Sequence, residues 1–336
     1  MRGFGSDNHS GVHPEILLAL STANIGHAPS YGTDPFTEKC QEMFKKFFGK
    51  SCEAFFVFNG TAANVLSLKA LMKSYESCFV TDISHMNLDE CGAPEFFAGK
   101  LIPVKSHDGK LTIAELEKHF IRLGDQHHTQ PRVVSLTQPT EVGTLYSLDE
   151  IKTITAWAKK NNLFVHMDGA RFTNAVYKLN CSMQQLTTDL GVDVLSFGGT
   201  KNGLMFGEAV VILNPALSKD FKYIRKQAAQ LPSKTRFIAA QFLAFFNDDL
   251  YLKIAKHSCD MAQHFLETLS GKIKINYPVQ SNALFAEIPQ GLVKKLKQQY
   301  FFYVWDEKTF ECRLMTSWDT QKEDIEGFCK ALNDVL

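Results

Sequence analysis

Three short segments hold residues whose types and spacing can do chemistry. The first is Leu195-Ser196-Phe197-Gly198-Gly199-Thr200-Lys201-Asn202-Gly203. A lysine ringed by small residues just past an apolar run lets backbone approach a flat, phosphorylated ligand while the amine forms a Schiff base with a carbonyl. The second, Leu163-Phe164-Val165-His166-Met167-Asp168-Gly169-Ala170-Arg171, closes an apolar run with a carboxylate, a glycine and an arginine. An aspartate there can pair with a protonated ring nitrogen, the partner that lets pyridoxal phosphate act as an electron sink. The third, Phe58-Asn59-Gly60-Thr61-Ala62-Ala63-Asn64, turns from a strand-like run into a helix start. Gly60 and Thr61 would there offer unpaired N–H groups and the positive end of a helix dipole to a phosphate. The segment lacks the lysine of a Walker loop and the glycine spacing of a dinucleotide fingerprint. Taken singly, Lys201 also reads as a solvated turn lysine and Asp168 as a helix N-cap. Together the three supply, in chain order, a phosphate cup, a ring partner and a Schiff-base lysine.

The elements that must position these residues follow from the pattern around them. Strand candidates fall at residues 54–58, 78–81, 101–104, 133–137, 164–167, 192–197 and 209–213, with helical patterns between most of them, as at 113–123 and 148–160. That alternation marks a wound α/β sheet with crossover helices. Asp168 lies 33 residues before Lys201, one strand–helix–strand excursion, so both can emerge at the carboxyl edge where such sheets bind ligands. Helices are expected at 13–22 and 35–48, the second placing Phe36, Cys40, Met43, Phe44 and Phe47 on one face. Residues 215–269 read as almost all helix, with breaks near Pro232 and Asn247. A short α+β unit follows, with strands at 283–288, 301–304 and 312–315 and helices at 292–299 and 322–335. The division expected is an N-terminal arm and large domain over 1–245 and a small C-terminal domain over 246–336.

With these stretches in hand, the sequence resembles the threonine aldolase family of fold-type I pyridoxal-phosphate enzymes, in its low-specificity and phenylserine-aldolase-like branch. The resemblance is carried by Ser6-Asp7-Asn8, Ala28-Pro29-Ser30-Tyr31-Gly32, Asn59-Gly60-Thr61-Ala62-Ala63-Asn64, Ser84-His85-Met86-Asn87-Leu88-Asp89-Glu90, His166-Met167-Asp168-Gly169-Ala170-Arg171 and Thr200-Lys201-Asn202-Gly203. It implies a large domain with a mostly parallel wound sheet, a small α+β domain, and cleavage of β-hydroxy-α-amino acids such as L-threonine, L-allo-threonine or phenylserine to glycine and an aldehyde. It further implies Lys201 as the Schiff-base lysine, Asp168 as the pyridinium partner, His85 stacked on the cofactor ring, and Gly60, Thr61 and Arg171 among the cofactor contacts. Ser6, Arg171 and Arg313 match positions that bind the substrate carboxylate, for which a guanidinium fork is suited. Tyr31 is implied near substrate from a neighbouring subunit, and Arg236 near a neighbour's phosphate, in a homodimer or homotetramer with sites at the dimer interface. One departure stands out. The Glu-Asn-Thr-His run common in the family is replaced by Thr137-Gln138-Pro139-Thr140-Glu141, leaving His85, Glu141 or the pair His127-His128 as bases for the β-hydroxyl.

Composition excludes other classes. Lys and Arg number 36 against 36 Asp and Glu, a balance without the cationic surplus of a nucleic-acid surface. The eight cysteines are scattered, no two spaced as in a zinc or redox motif, and read as reduced thiols of a cytoplasmic protein. No signal core opens the chain, no apolar run is long enough for a bilayer, and the histidines lack metal-ligand spacing. The 27 Phe are expected in core and subunit packing. The competing readings are another lyase or an aminotransferase on the same cofactor, and a non-catalytic ligand-binding protein that keeps the fold.

Overall fold

The computed structural model describes residues 3–269 and 271–334. Seven strands, β1 (Glu53–Val57), β2 (Glu76–Thr81), β3 (Lys100–Val104), β4 (Gln130–Thr137), β5 (Phe164–Gly169), β6 (Val194–Phe197) and β7 (Glu208–Ile212), form one sheet in the order β1-β7-β6-β5-β4-β2-β3. All neighbours are parallel except β7, which runs antiparallel to both β1 and β6. Two antiparallel steps restore direction, so β1 ends at the same edge as β2, β4, β5 and β6. The middle strands are buried along their length, as expected where helices cover both faces.

Capping fixes where the covering helices begin. Asp34 caps Pro35–Phe48, Asn59 caps Gly60–Leu71 and Ser147 closes a capping box on Leu148–Lys160. The helix expected over 113–123 stops at His119, because Arg122 adopts φ 56° and leads into the Gly124 turn.

A second sheet is antiparallel, with β8 (Ala283–Glu287), β9 (Tyr303–Asp306) and β10 (Glu311–Met315) in the order β8-β10-β9. β9 starts two residues later than the apolar run suggests, since the Phe301 carbonyl is taken by the Phe4 N–H at 2.7 Å. The last helix runs Lys322–Asn333, and residue 335 of the expected helix lies outside the described residues.

Two large apolar clusters meet along one helix, Leu250–Leu269. Its Leu250, Tyr251 and Ile254 pack with Phe44, Phe48, Phe56, Phe197, Phe242 and Phe246 against the large sheet. Its Met261, Ala262, Phe265 and Leu269 pack instead with Phe4, Leu284, Phe302, Leu314 and Phe328. The expectation that phenylalanine fills the core holds at these rings. Phe44 alone lies within 6.1 Å, centroid to centroid, of Phe48, Phe56, Phe197, Phe242 and Phe246.

Candidate active site

The carboxyl edge of the large sheet gathers the candidate residues. Gly60 follows β1, His85 follows β2, Glu141 follows β4, Asp168 lies at the end of β5 and Arg171 just beyond it. Lys201 follows β6. These six, with Asn64, Glu90 and Thr137, line one cavity.

A buried chain of polar groups runs from His85 to Asp168. Ser84 caps the short helix His85–Leu88 and so places the imidazole. His85 Nδ1 lies 2.9 Å from Glu90 Oε1, which also accepts from Asn64 Nδ2 at 2.9 Å. The same Asn64 amide donates to Asp168 Oδ2 at 2.9 Å, and the Ala170 N–H donates to Asp168 Oδ1 at 3.1 Å. The bond to Glu90 raises the His85 pKa, and burial raises that of Glu90. Beneath Asp168, His166 is wholly buried between the hydroxyls of Ser135, at 2.8 Å, and Ser196, at 2.9 Å. Burial lowers its pKa to about 4, so it stays neutral.

Lys201 sits in a single tight turn, Thr200–Asn202. The Gly199 N–H donates to Glu208 at the start of β7. Asn202 donates to the carbonyls of Ala170, at 3.1 Å, and Gly198, at 3.0 Å. These bonds tie the loop to the end of β5. The positive charge of Arg171 and then burial lower the Lys201 pKa, which favours the neutral, nucleophilic amine. Burial pushes Glu208 up to about 7.

The expected anion-binding arginines have partners of their own. Arg171 donates from Nε to Asp7 Oδ2 at 2.6 Å and from Nη2 to Asp7 Oδ1 at 2.9 Å. Asp7 thus takes the Nε/Nη2 edge, and Nη1 is the nitrogen left over. Burial opposes charge on Asp7, but Arg171 outweighs it and holds the carboxyl below its usual range. Arg313, on β10, donates to the Gly5 carbonyl at 3.0 Å and lies over the rings of Trp305 and Tyr303 at 4.8 and 5.5 Å. Its Nε is buried without a partner. Ser6 caps the turn Asp7–His9, its Oγ accepting the Asn8 N–H at 3.2 Å.

Four other expected residues stand apart from the cavity lining. Tyr31 is exposed at φ 60°, and Lys226 Nζ lies 5.1 Å from its ring centroid. Arg236 donates to the Gly26 carbonyl at 3.2 Å. His127 and His128 occupy the loop before β4, so the length of that strand separates them from the cavity. Asp7, Asn64, Glu90 and Glu208 are central to the site yet carry no role in the sequence reading. The partners Asn64 and Asp168 are 104 residues apart, and no local spacing links them.

The beta-eliminating lyase family model matches residues 3–289. The chain is 42% identical to the low specificity L-threonine aldolase of Pseudomonas aeruginosa, over 99% of this chain and 97% of that one. It is 28% identical to the low specificity L-threonine aldolase of Saccharomyces cerevisiae, over 86% of this chain and 76% of that one. Among solved structures, a threonine aldolase from Leishmania major superposes with a TM-score of 0.94 at 28% identity, covering 100% of this chain and 99% of the other.

Proposed function

The chain belongs to the beta-eliminating lyase family, and on that premise we propose a pyridoxal-phosphate-dependent carbon–carbon lyase that cleaves β-hydroxy-α-amino acids to glycine and an aldehyde. L-threonine and L-allo-threonine are its substrates in this reading, with phenylserine a further candidate. The observation that carries it is the convergence of Lys201, Asp168, His85 and the Gly60 helix end on one cavity.

The residues present fit the cofactor. Asn59 occupies the Ala62 and Ala63 N–H groups, which leaves those of Gly60 and Thr61 ahead of the first intrahelical bonds, free for a phosphate. A Cβ added at Gly60 would meet nothing within 4 Å, so the space beside this helix end is open. Asn64 Oδ1 is a buried acceptor without a donor. When bound, pyridoxal phosphate supplies a carbonyl for amine condensation and a protonated ring that takes up the electron pair of the broken bond.

The chain's own residues then have distinct tasks. Lys201 would hold the cofactor through its amine. Asp168, kept in place by Asn64 and the Ala170 N–H, would pair with its protonated ring nitrogen, and His85 would stack on it. Ser6, Arg313 and the free Nη1 side of Arg171 bind the substrate carboxylate, which orients the Cα–Cβ bond for cleavage. Tyr31 and Arg236 serve a neighbouring subunit's site in a homodimer or homotetramer. Supporting that assembly, Phe58, Met205 and Phe206 are apolar side chains left on the surface beside Pro232 and Ser233. The same reading divides the chain into 1–245 and 246–336, with helix Leu250–Leu269 shared between the two apolar clusters. Among the described residues no helix is long and apolar enough to cross a membrane. A cytoplasmic setting is supported by eight cysteines that are all free thiols.

Aldehyde release from threonine and phenylserine, followed beside keto-acid formation with cofactor added, tests the reading. Aldehyde and glycine are expected. Keto acid in their place would move the protein to the aminotransferases. Lys201→Ala is expected to lose both turnover and the near-visible absorbance of the loaded protein.

A further inference from the structure

We propose that Glu141 is the general base that takes the β-hydroxyl proton of the substrate; this rests on the aldolase reading above. The cavity offers few groups for that task. Lys201 and Asp168 are committed to the cofactor, and Arg171 is a cation held by Asp7. The Glu90 side chain is enclosed, and one of its oxygens already accepts from both Asn64 and His85. His85 is tied to that carboxylate through Nδ1, which commits one ring nitrogen and raises its pKa.

Glu141 differs from each of these. It accepts the His85 backbone N–H on Oε1 at 3.0 Å, which fixes the carboxylate and leaves Oε2 for a ligand. Its loop is stiff. The Thr140 N–H donates to the Thr144 carbonyl, the Gly143 N–H donates back to the Thr140 carbonyl, and the two threonine hydroxyls lie 2.8 Å apart. Val142 packs on Ala283, Phe285 and Met315, so the second sheet braces the same loop. The charged groups that face Glu141 are His85, Asp168 and Lys201, with Arg171 and Arg313 also within its field. Burial first, and then the Asp168 charge, raise its proton affinity above that of an ordinary carboxylate. Arg171 lines the same cavity as Glu141, so a substrate carboxylate held by that guanidinium leaves the rest of the amino acid beside this base.

In the step assigned to it, Glu141 takes the hydroxyl proton and the O–H electron pair becomes the second C–O bond of the aldehyde. The Cα–Cβ bond breaks, and its electron pair would be taken up by bound pyridoxal phosphate. Water returns one proton to Cα, giving glycine, and Glu141 releases its proton to water, so no proton is consumed overall.

Glu141→Gln tests this in the cofactor-loaded enzyme, since the amide oxygen can still accept the His85 N–H but cannot serve as a base. Threonine cleavage is expected to fall by ~100-fold or more. The near-visible absorbance and the exchange of the glycine α-hydrogen for deuterium from D2O, a reaction with no hydroxyl to deprotonate, are expected to stay within about threefold of wild type. Cleavage within threefold of wild type would overturn the assignment. So would equal losses of cleavage and exchange, which would make Glu141 a positioning residue for the cofactor. If the Gln variant does not fold, Glu141→Asp replaces it, with reduced cleavage, unchanged exchange and a retained acid limb as the supporting result. Loss of all three under Asp would count against it. A wild-type enzyme that cleaves no β-hydroxy amino acid would instead sink the aldolase reading, so the two failures are distinct.

Discussion

The two glycines ahead of Lys201 show how a residue can be read correctly and explained differently. Sequence alone suggests that they let backbone approach a ligand. In the structure they let backbone approach backbone. A Cβ on Gly198 would stand 2.1 Å from the Ala170 carbonyl oxygen, and one on Gly199 would stand 2.4 Å from that of Gly207. The Lys201 loop is therefore pressed onto the end of β5, where Asn202 binds the same Ala170 carbonyl. Gly198→Ala is expected to push these two loops apart, lowering unfolding free energy by about 1–3 kcal/mol. Because Lys201 rides on one of those loops and Asp168 lies at the end of the strand before the other, the variant's near-visible absorbance with added cofactor is expected to drop as well. Urea denaturation and a cofactor titration check the two effects. Lys201 and Asp168 were legible because each stands at the end of an apolar run, whereas His85 was marked only by the family resemblance. Asp7 was not, since its value lies in meeting Arg171 across 164 residues, and nothing in Ser6-Asp7-Asn8 announces a guanidinium.

Among the elements, the N-terminal arm does more than its length suggests. Phe4 is buried against Phe265, Tyr300 and Phe328, and its carbonyl accepts the Met315 N–H at 2.8 Å. Asp7, in the turn two residues beyond Gly5, reaches Arg171 on the large sheet and Asn282 beside β8. The arm thus ties the small cluster to the Arg171 side of the cavity. Phe4→Ala is expected to cost about 3–5 kcal/mol by opening a cavity among aromatic rings. It is also expected to raise KM for threonine more than it lowers kcat, because Ser6 and Asp7 lose their anchor while Lys201 keeps its own; steady-state kinetics on the folded fraction separates the two. A smaller change is expected at the other end of the cavity. Asn59→Ala removes the side-chain cap on the Ala62 N–H and is expected to cost about 1 kcal/mol, read as a shift in urea midpoint. Helices were legible where caps and apolar faces agree, as at Pro35–Phe48 and Leu148–Lys160. The start of β9 was not, because Phe301 is diverted by a partner almost 300 residues away, and apolar periodicity carries no information about such pairing.

For the whole molecule, two buried groups, His166 and Glu208, give stability opposing responses to pH. His166 is the clearer of them. It joins β4, β5 and β6 through Ser135 and Ser196, and the Ser196 hydroxyl lies 3.3 Å from that of Ser67 on the covering helix, so its charge state bears on the packing of the central sheet. Its folded pKa of about 4 lies below the unfolded value of 6.5. Between those values the unfolded chain binds the proton and the folded chain does not. The stabilisation is therefore complete above about pH 6.5 and is lost as pH falls towards 4, an interval worth about 3 kcal/mol. Glu208 works in the opposite sense. Its folded pKa, pushed up to about 7 from 4.5, means that the folded chain holds the proton longer, so its contribution is present below pH 4.5 and is lost as pH rises through 7. The two slopes oppose each other between pH 4.5 and 6.5. The difference between variants therefore isolates what the wild-type curve conceals. His166→Gln is expected to remove the stability lost on acidification and leave the Glu208 slope, so that its unfolding free energy holds steady or rises as pH is lowered from 6.5 to 4.5. Wild type minus variant, from urea melts at each pH, is expected to grow with pH across that window. A difference that stays flat would mean that His166 is as easily protonated in the folded sheet as in the open chain.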